Sequence, residues 1–214
     1  EEKEHSEPKK EVAPVAEPVK EEKADYSKMT VAELKAMAKE KGLTIPIVYN
    51  TSSYENVESL KLLDGLIDIY LPDFKYYNDE IAIKYSSARN YVNVCKKAIA
   101  EMYRQVGKSK FDDNGIMKKG VIVRHLLLPN MENDSKKIIE YLYKTYKDDI
   151  YISIMNQYTP MKKLKYEELN HKISDDVYDD VINFAYDLGI RNAFIQEGET
   201  QKKSFIPDFK NQEF

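Results

Sequence analysis

A chain of 214 residues, 42% of them hydrophobic, has room for one ordinary domain with a buried core and a tail. Its formal charge of -4 gives no reason to expect a nucleic-acid or anionic-membrane partner over the whole surface. No apolar run approaches the ~20 residues of a bilayer span and the N-terminus lacks a signal-peptide core, so the expectation is a cytoplasmic protein with no membrane partner.

The single cysteine, Cys95, rules out an intrachain disulfide and any cluster held by several thiolates of this chain. It falls in a helical apolar pattern with Tyr91, Val94, Ala98, Ile99 and Met102, which marks it as a buried structural thiol rather than a reactive one.

Residues 1–26 mix Glu and Lys with Pro8, Pro14 and Pro18 and hold almost no large apolar side chains. Such a stretch cannot offset its ordering entropy and is expected to be a disordered tail. A helix is expected over 27–44: Thr30 and Glu33 form a capping box, Val31, Leu34, Met37 and Ala38 share a face, and Gly42 stops it. An apolar strand follows over 45–49 and ends at Asn50. The step then repeats, with a helix over 56–63 closed by Asp64-Gly65 and a strand over 66–71. Tyr91 to Val106 reads as a strong amphipathic helix ended at Gly107. The interval 108–120 holds Asn114-Gly115, a hairpin turn signal. A very hydrophobic strand over 121–128 comes next, then a helix over 135–146 and a strand over 149–155. Ser174 caps a last long helix ended at Gly189, and 193–196 forms a short final strand. The tail 197–214 is polar.

Aliphatic strands alternating with amphipathic helices argue for an α/β fold with a parallel sheet. About four core strands are too few to close an eight-stranded barrel. In such sheets function gathers at the carboxyl ends of the strands. There the chain places Asn50, then Asp73 and Lys75, then Arg124 and His125, then Asn156 and Gln157. Asp73 and Lys75 are two apart and share a side in an extended backbone; together they suit a zwitterion. Arg124 offers a planar donor fork for a carboxylate or a peptide carbonyl, and Asn50 and Gln157 could bond a ribose, a base edge or a backbone amide. The competing reading makes Asp73–Lys75 a strand-end salt bridge and pairs Arg124 with a structural acid. His125 alternates away from Arg124 and reads as a packing residue.

These stretches carry a resemblance. Val48-Tyr49-Asn50-Thr51-Ser52-Ser53-Tyr54-Glu55, Asp68-Ile69-Tyr70-Leu71-Pro72-Asp73-Phe74-Lys75 and Ala100-Glu101-Met102-Tyr103-Arg104-Gln105-Val106-Gly107 are similar to segments of radical S-adenosylmethionine proteins related to pyruvate formate-lyase-activating enzyme. Val123-Arg124-His125-Leu126-Leu127-Leu128-Pro129 and Ser153-Ile154-Met155-Asn156-Gln157-Tyr158 continue the match in order, so that it spans 45–196. The resemblance implies a partial (β/α) barrel, roughly the last four strands of a six-stranded one. It also implies that Asn50, Asp73, Lys75, Arg124 and Gln157 face an S-adenosylmethionine pocket. The family's [4Fe-4S] cluster is held by a CxxxCxxC loop that this sequence lacks. The implied partners are a cluster-bearing N-terminal half and a glycyl-radical-type protein substrate; the chain alone is expected to be inactive. The helix over 25–43 resembles the N-terminal, SAP-like module of the Rho terminator, which implies an alternative role as a non-enzymatic regulator or weak nucleic-acid binder.

Overall fold

The structure is a computed structural model that describes residues 29–196; the tails expected over 1–26 and 197–214 lie outside that range. Its first element is helix α1 (Val31–Glu40). The expected capping box is formed: the Glu33 N–H donates to Thr30 Oγ1 (3.3 Å) and the Thr30 N–H to Glu33 Oε2 (2.8 Å). These bonds hold the Glu33 carboxyl below its usual range. Gly42 takes φ +91°, and the Leu43 N–H returns to Ala38 O, closing the helix as a left-handed glycine allows.

Strands β1 (Val48–Thr51) and β2 (Ile69–Pro72) flank the short helix α2 (Val57–Lys61). Helices α3 (Asp79–Ser86) and α4 (Tyr91–Val106) follow, then a hairpin of β3 (Lys110–Phe111) and β4 (Met117–Leu126). Helix α5 (Glu132–Tyr146), strand β5 (Tyr151–Met155), helix α6 (Asp175–Asp187) and strand β6 (Ala193–Ile195) complete the described chain. The sheet runs β1-β2-β4-β5-β6 with every neighbouring pair parallel, while β3 pairs antiparallel with β4. The parallel sheet is the one that the alternation of elements implied, and the whole is consistent with the partial β/α barrel that the resemblance implied. Among the described residues no helix is long and apolar enough to cross a membrane.

Two strands start three residues later than expected, and the strand expected over 149–155 starts two later, at Tyr151. The first covers Val48–Thr51, not 45–49. Pro46 has no N–H to give, the Ile47 N–H goes to Asp68 Oδ2 (2.9 Å), and Ile45 stays exposed. The second covers Ile69–Pro72, not 66–71, because the Leu66 N–H closes a turn onto Leu63 O (3.0 Å). Helix α3 has no counterpart in the sequence reading. Ala82 is its one fully buried residue, with Ile81 and Tyr85 half-buried against the core, so its apolar face is only three residues wide; Asn78 starts it, its side chain accepting the Glu80 N–H.

Alternation along the strands sorts the sheet into two faces. Tyr70, Val121, Val123, His125, Ile152 and Ile154 are buried on the helix-covered face; Tyr70 reaches Gln105 of α4 (2.5 Å), and Tyr178 of α6 donates to Ile154 O (2.9 Å). The opposite face carries Val48, Leu71, Ile122, Leu126 and Met155, which are exposed or half-buried. Lys35 of α1 is buried against the base of the sheet: its ammonium donates to Gly65 O (3.1 Å) and Leu66 O and pairs with Asp68 (3.2 Å). That lysine gives α1 a packing contact with the barrel.

Candidate functional site

The strand tips bring four of the five candidate residues together. The Asp73 N–H donates to Thr51 O and the Phe74 N–H to Arg124 O, both at 2.9 Å, so the chain beyond β2 is still clamped between β1 and β4. Asp73 and Lys75 therefore stay extended and share a side, as their spacing required. Arg124 donates through Nε (2.9 Å) to Asp73 Oδ1, and its Nη2 stands 2.6 Å from the same oxygen in an ion pair. Its Nη2 also donates to Asn50 Oδ1 (2.7 Å). Lys75 Nζ stands 3.3 Å from the other carboxylate oxygen, Asp73 Oδ2, with its side chain 41% exposed. Gln157 is exposed two residues past β5 and stands outside this set.

The charge sum of the cluster decides what it can take. One carboxylate is shared by a guanidinium and an ammonium, which leaves a single net positive charge on the open side. Asn50 adds two amide N–H donors on a nitrogen that the Arg124 contact does not use. The reading of Asp73–Lys75 as a strand-end salt bridge, with Arg124 paired to an acid, is present in this geometry. The salt bridges exist, and they leave a surplus cation exposed at the tips of three strands.

Two residues that hold this geometry carry no local sequence signal for the role. His125 is buried on the helix face, where its Nδ1 lies 2.7 Å from Phe74 O. Since a carbonyl only accepts, Nδ1 carries the proton and donates. Its Nε2 is buried without a partner, and burial lowers the imidazole to about 4, so the ring is neutral. Phe74 is therefore pinned through both its N–H and its carbonyl, and the two charged residues beside it are fixed. Tyr91, at the start of α4, accepts the Lys75 N–H (2.9 Å). It lies among Phe74, Tyr76 and Tyr54, with ring centroids 5.3 to 6.3 Å away, and burial pushes its hydroxyl far above the usual range. The segment after Lys75 is tied by the Tyr77 N–H to Asp134 Oδ2 (2.7 Å); burial raises that carboxyl.

An iron–sulfur cluster does not fit these residues. It needs three thiolates, whereas the sequence has one cysteine. Cys95 is buried in α4, and burial raises its thiol to about 12. Among the described residues no group of three His, Cys, Asp or Glu side chains is placed to hold a metal ion. S-adenosylmethionine does fit in kind, since its carboxylate, ammonium and ribose hydroxyls match the Lys75, Asp73 and Asn50 chemistry.

No family model matches the chain. It is similar to an uncharacterized protein of Methanocaldococcus jannaschii, 30% identical over 145 residues, 66% of this chain. It spans only 38% of that relative's length. Among solved structures it resembles a domain of pyruvate-formate lyase-activating enzyme from Bacteroides vulgatus ATCC 8482, with a TM-score of 0.53 and 16% identity over 78% of this chain and 89% of that one. The chain therefore has the fold of an activating-enzyme domain.

Proposed function

We propose that this chain forms the S-adenosylmethionine-binding part of a radical S-adenosylmethionine protein of the glycyl-radical-enzyme activase kind. In this reading Lys75 takes the carboxylate of the aminoacyl end and Asp73 the ammonium. Asn50 bonds the ribose or base, and Arg124 holds Asp73 in place. The observation that carries it is the exposed surplus cation at three adjacent strand tips, on a fold shared with an activating-enzyme domain. Cleavage of the bound cofactor needs an electron from an iron–sulfur cluster, and this chain offers no ligand set for one. It accordingly binds without catalysing until a partner supplies the cluster; a glycyl-radical-type protein is then the substrate class.

Titration of the full chain with S-adenosylmethionine by calorimetry tests the reading. One-to-one binding is expected, and Lys75→Ala should abolish it while circular dichroism and the urea midpoint stay unchanged. Equal affinity in the folded variant removes Lys75 from the site.

A further inference from the structure

The segments that follow β2 and β5, the strands on either side of β4, are joined to each other. Lys84 of α3 pairs with Glu168. The Tyr85 hydroxyl donates to the same carboxylate oxygen (2.6 Å), and the Tyr166 hydroxyl donates to Lys84 O. The Tyr85 and Tyr166 rings pack edge to face at 4.9 Å. The bonds from Lys84 and Tyr85 hold the Glu168 carboxyl down at about 2, so this strut keeps its charge at any ordinary pH. Within the β5–α6 segment, Asn170 accepts the Leu164 N–H (2.7 Å) and donates to Leu164 O (3.0 Å) and Tyr166 O (3.2 Å). The Tyr158 hydroxyl donates to Leu169 O (2.8 Å). A loop is thereby given the fixed shape of a ledge, at the same end of the sheet as Arg124 and Lys75.

The ledge is basic in an acidic chain. Between Thr159 and Lys172 stand four lysines against two glutamates, in a protein of net charge -4. Glu168 is neutralised by Lys84, whereas Lys162 and Lys163 are exposed and pair with no carboxylate among the described residues. Together with Pro160, Glu167 and Asn170 they line an open groove of about 410 Å³, and Met161 beside them is 59% exposed. We infer that this groove is a docking site for an acidic peptide segment of a protein partner, with its carboxylates on Lys162 and Lys163 and an apolar side chain on Met161. Charge complementarity selects an anion, and the other lining residues select the peptide. A lone phosphate would leave Met161 and Pro160 uncovered. A nucleic-acid strand needs open aromatic faces for its bases, and the Tyr166 ring is already taken by Tyr85 and by the ammoniums of Lys165 (4.7 Å) and Lys84 (5.4 Å). Because Asn170 fixes the loop beforehand, little backbone freedom is lost on binding. The groove stands on the geometry of the loop; only the expectation that the docked segment leads to the strand-tip site rests on the proposed function.

The test titrates the full chain into a fluorescein-labelled, glutamate-rich peptide with one central leucine and follows anisotropy. One-to-one binding that weakens with added salt is expected. Lys162→Glu combined with Lys163→Glu should weaken it about tenfold or more. Lys97→Glu combined with Lys110→Glu makes the same change of net charge on exposed lysines of α4 and β3 and should leave it unchanged. Asn170→Ala keeps every charge; it should weaken peptide binding and speed hydrogen exchange of the Leu164 amide. No binding, equal losses in the two charge-reversed pairs, or affinity indifferent to Asn170→Ala overturns the inference. Tighter binding of a thymidine oligonucleotide of equal charge, or full displacement of the peptide by inorganic phosphate, overturns it too by assigning the groove to another anion. Titrating the same proteins with S-adenosylmethionine separates the two readings. Peptide binding without cofactor binding refutes the function alone, and cofactor binding without peptide binding refutes the groove alone.

Discussion

Lowering the pH should loosen this protein through one side chain. His125 is neutral in the fold, with its pKa brought from 6.5 to about 4 by burial, whereas in the unfolded chain it titrates near 6.5. Between those values the unfolded state holds a proton that the folded state does not, so stability falls as pH drops through 6.5 and the loss is complete below about 4. At about 1.4 kcal/mol per pH unit, this window of two to three units corresponds to about 3 kcal/mol, a sizeable share of the 5–15 kcal/mol typical of a domain. The assay is the urea midpoint as a function of pH for the natural protein and His125→Asn. The asparagine amide can still donate to Phe74 O but has nothing to titrate. Carboxylates such as Asp134 and Glu101 contribute to both proteins and cancel in the difference. The difference curve should rise from near zero at pH 4 to a plateau above pH 6.5, after subtraction of a constant offset. A curve flat across that window would mean that His125 gains its proton without cost, and the account of its buried, unpartnered Nε2 would be wrong.

Gly120 has φ +147°, and a Cβ there would sit 2.7 Å from Ser109 Oγ and 2.9 Å from Ser109 Cα. Ser109 cannot retreat, being tied by its N–H and its hydroxyl to Asp149 O. Gly120→Ala should therefore cost about 1–3 kcal/mol; an unchanged urea midpoint refutes the packing at the base of β4. Cys95 is buried with its thiol raised to about 12, so a thiol reagent at pH 8 should modify it only as fast as the protein unfolds. Rapid stoichiometric labelling of the native chain would show that α4 opens.

Local chemistry in the sequence set a large part of this structure. The Thr30–Glu33 box, the Ser174 cap, the Asn114-Gly115 hairpin and the span of α4 all depend on residues within one or two turns of each other, and each formed where the pattern placed it. The spacing of Asp73 and Lys75 likewise fixed their common side, since side chains alternate in any extended backbone. Tertiary structure decided what depends on distant partners. Strand limits moved because Ile47 and Leu66 found bonds outside the ladder. Helix α3 spans eight residues and packs only Ile81, Ala82 and Tyr85 on the core, too short a pattern for its periodicity to stand out in the sequence. Lys35 is buried because a carboxylate and two carbonyls from the segment before β2 surround its ammonium. The site shows the same division. Its charged residues could be picked out along the chain, but the sharing of one carboxylate by Arg124 and Lys75 could not. Nor could the pinning of Phe74 by His125, 51 residues away, because hydrogen bonds between separate strands exist only once the register of the sheet is set.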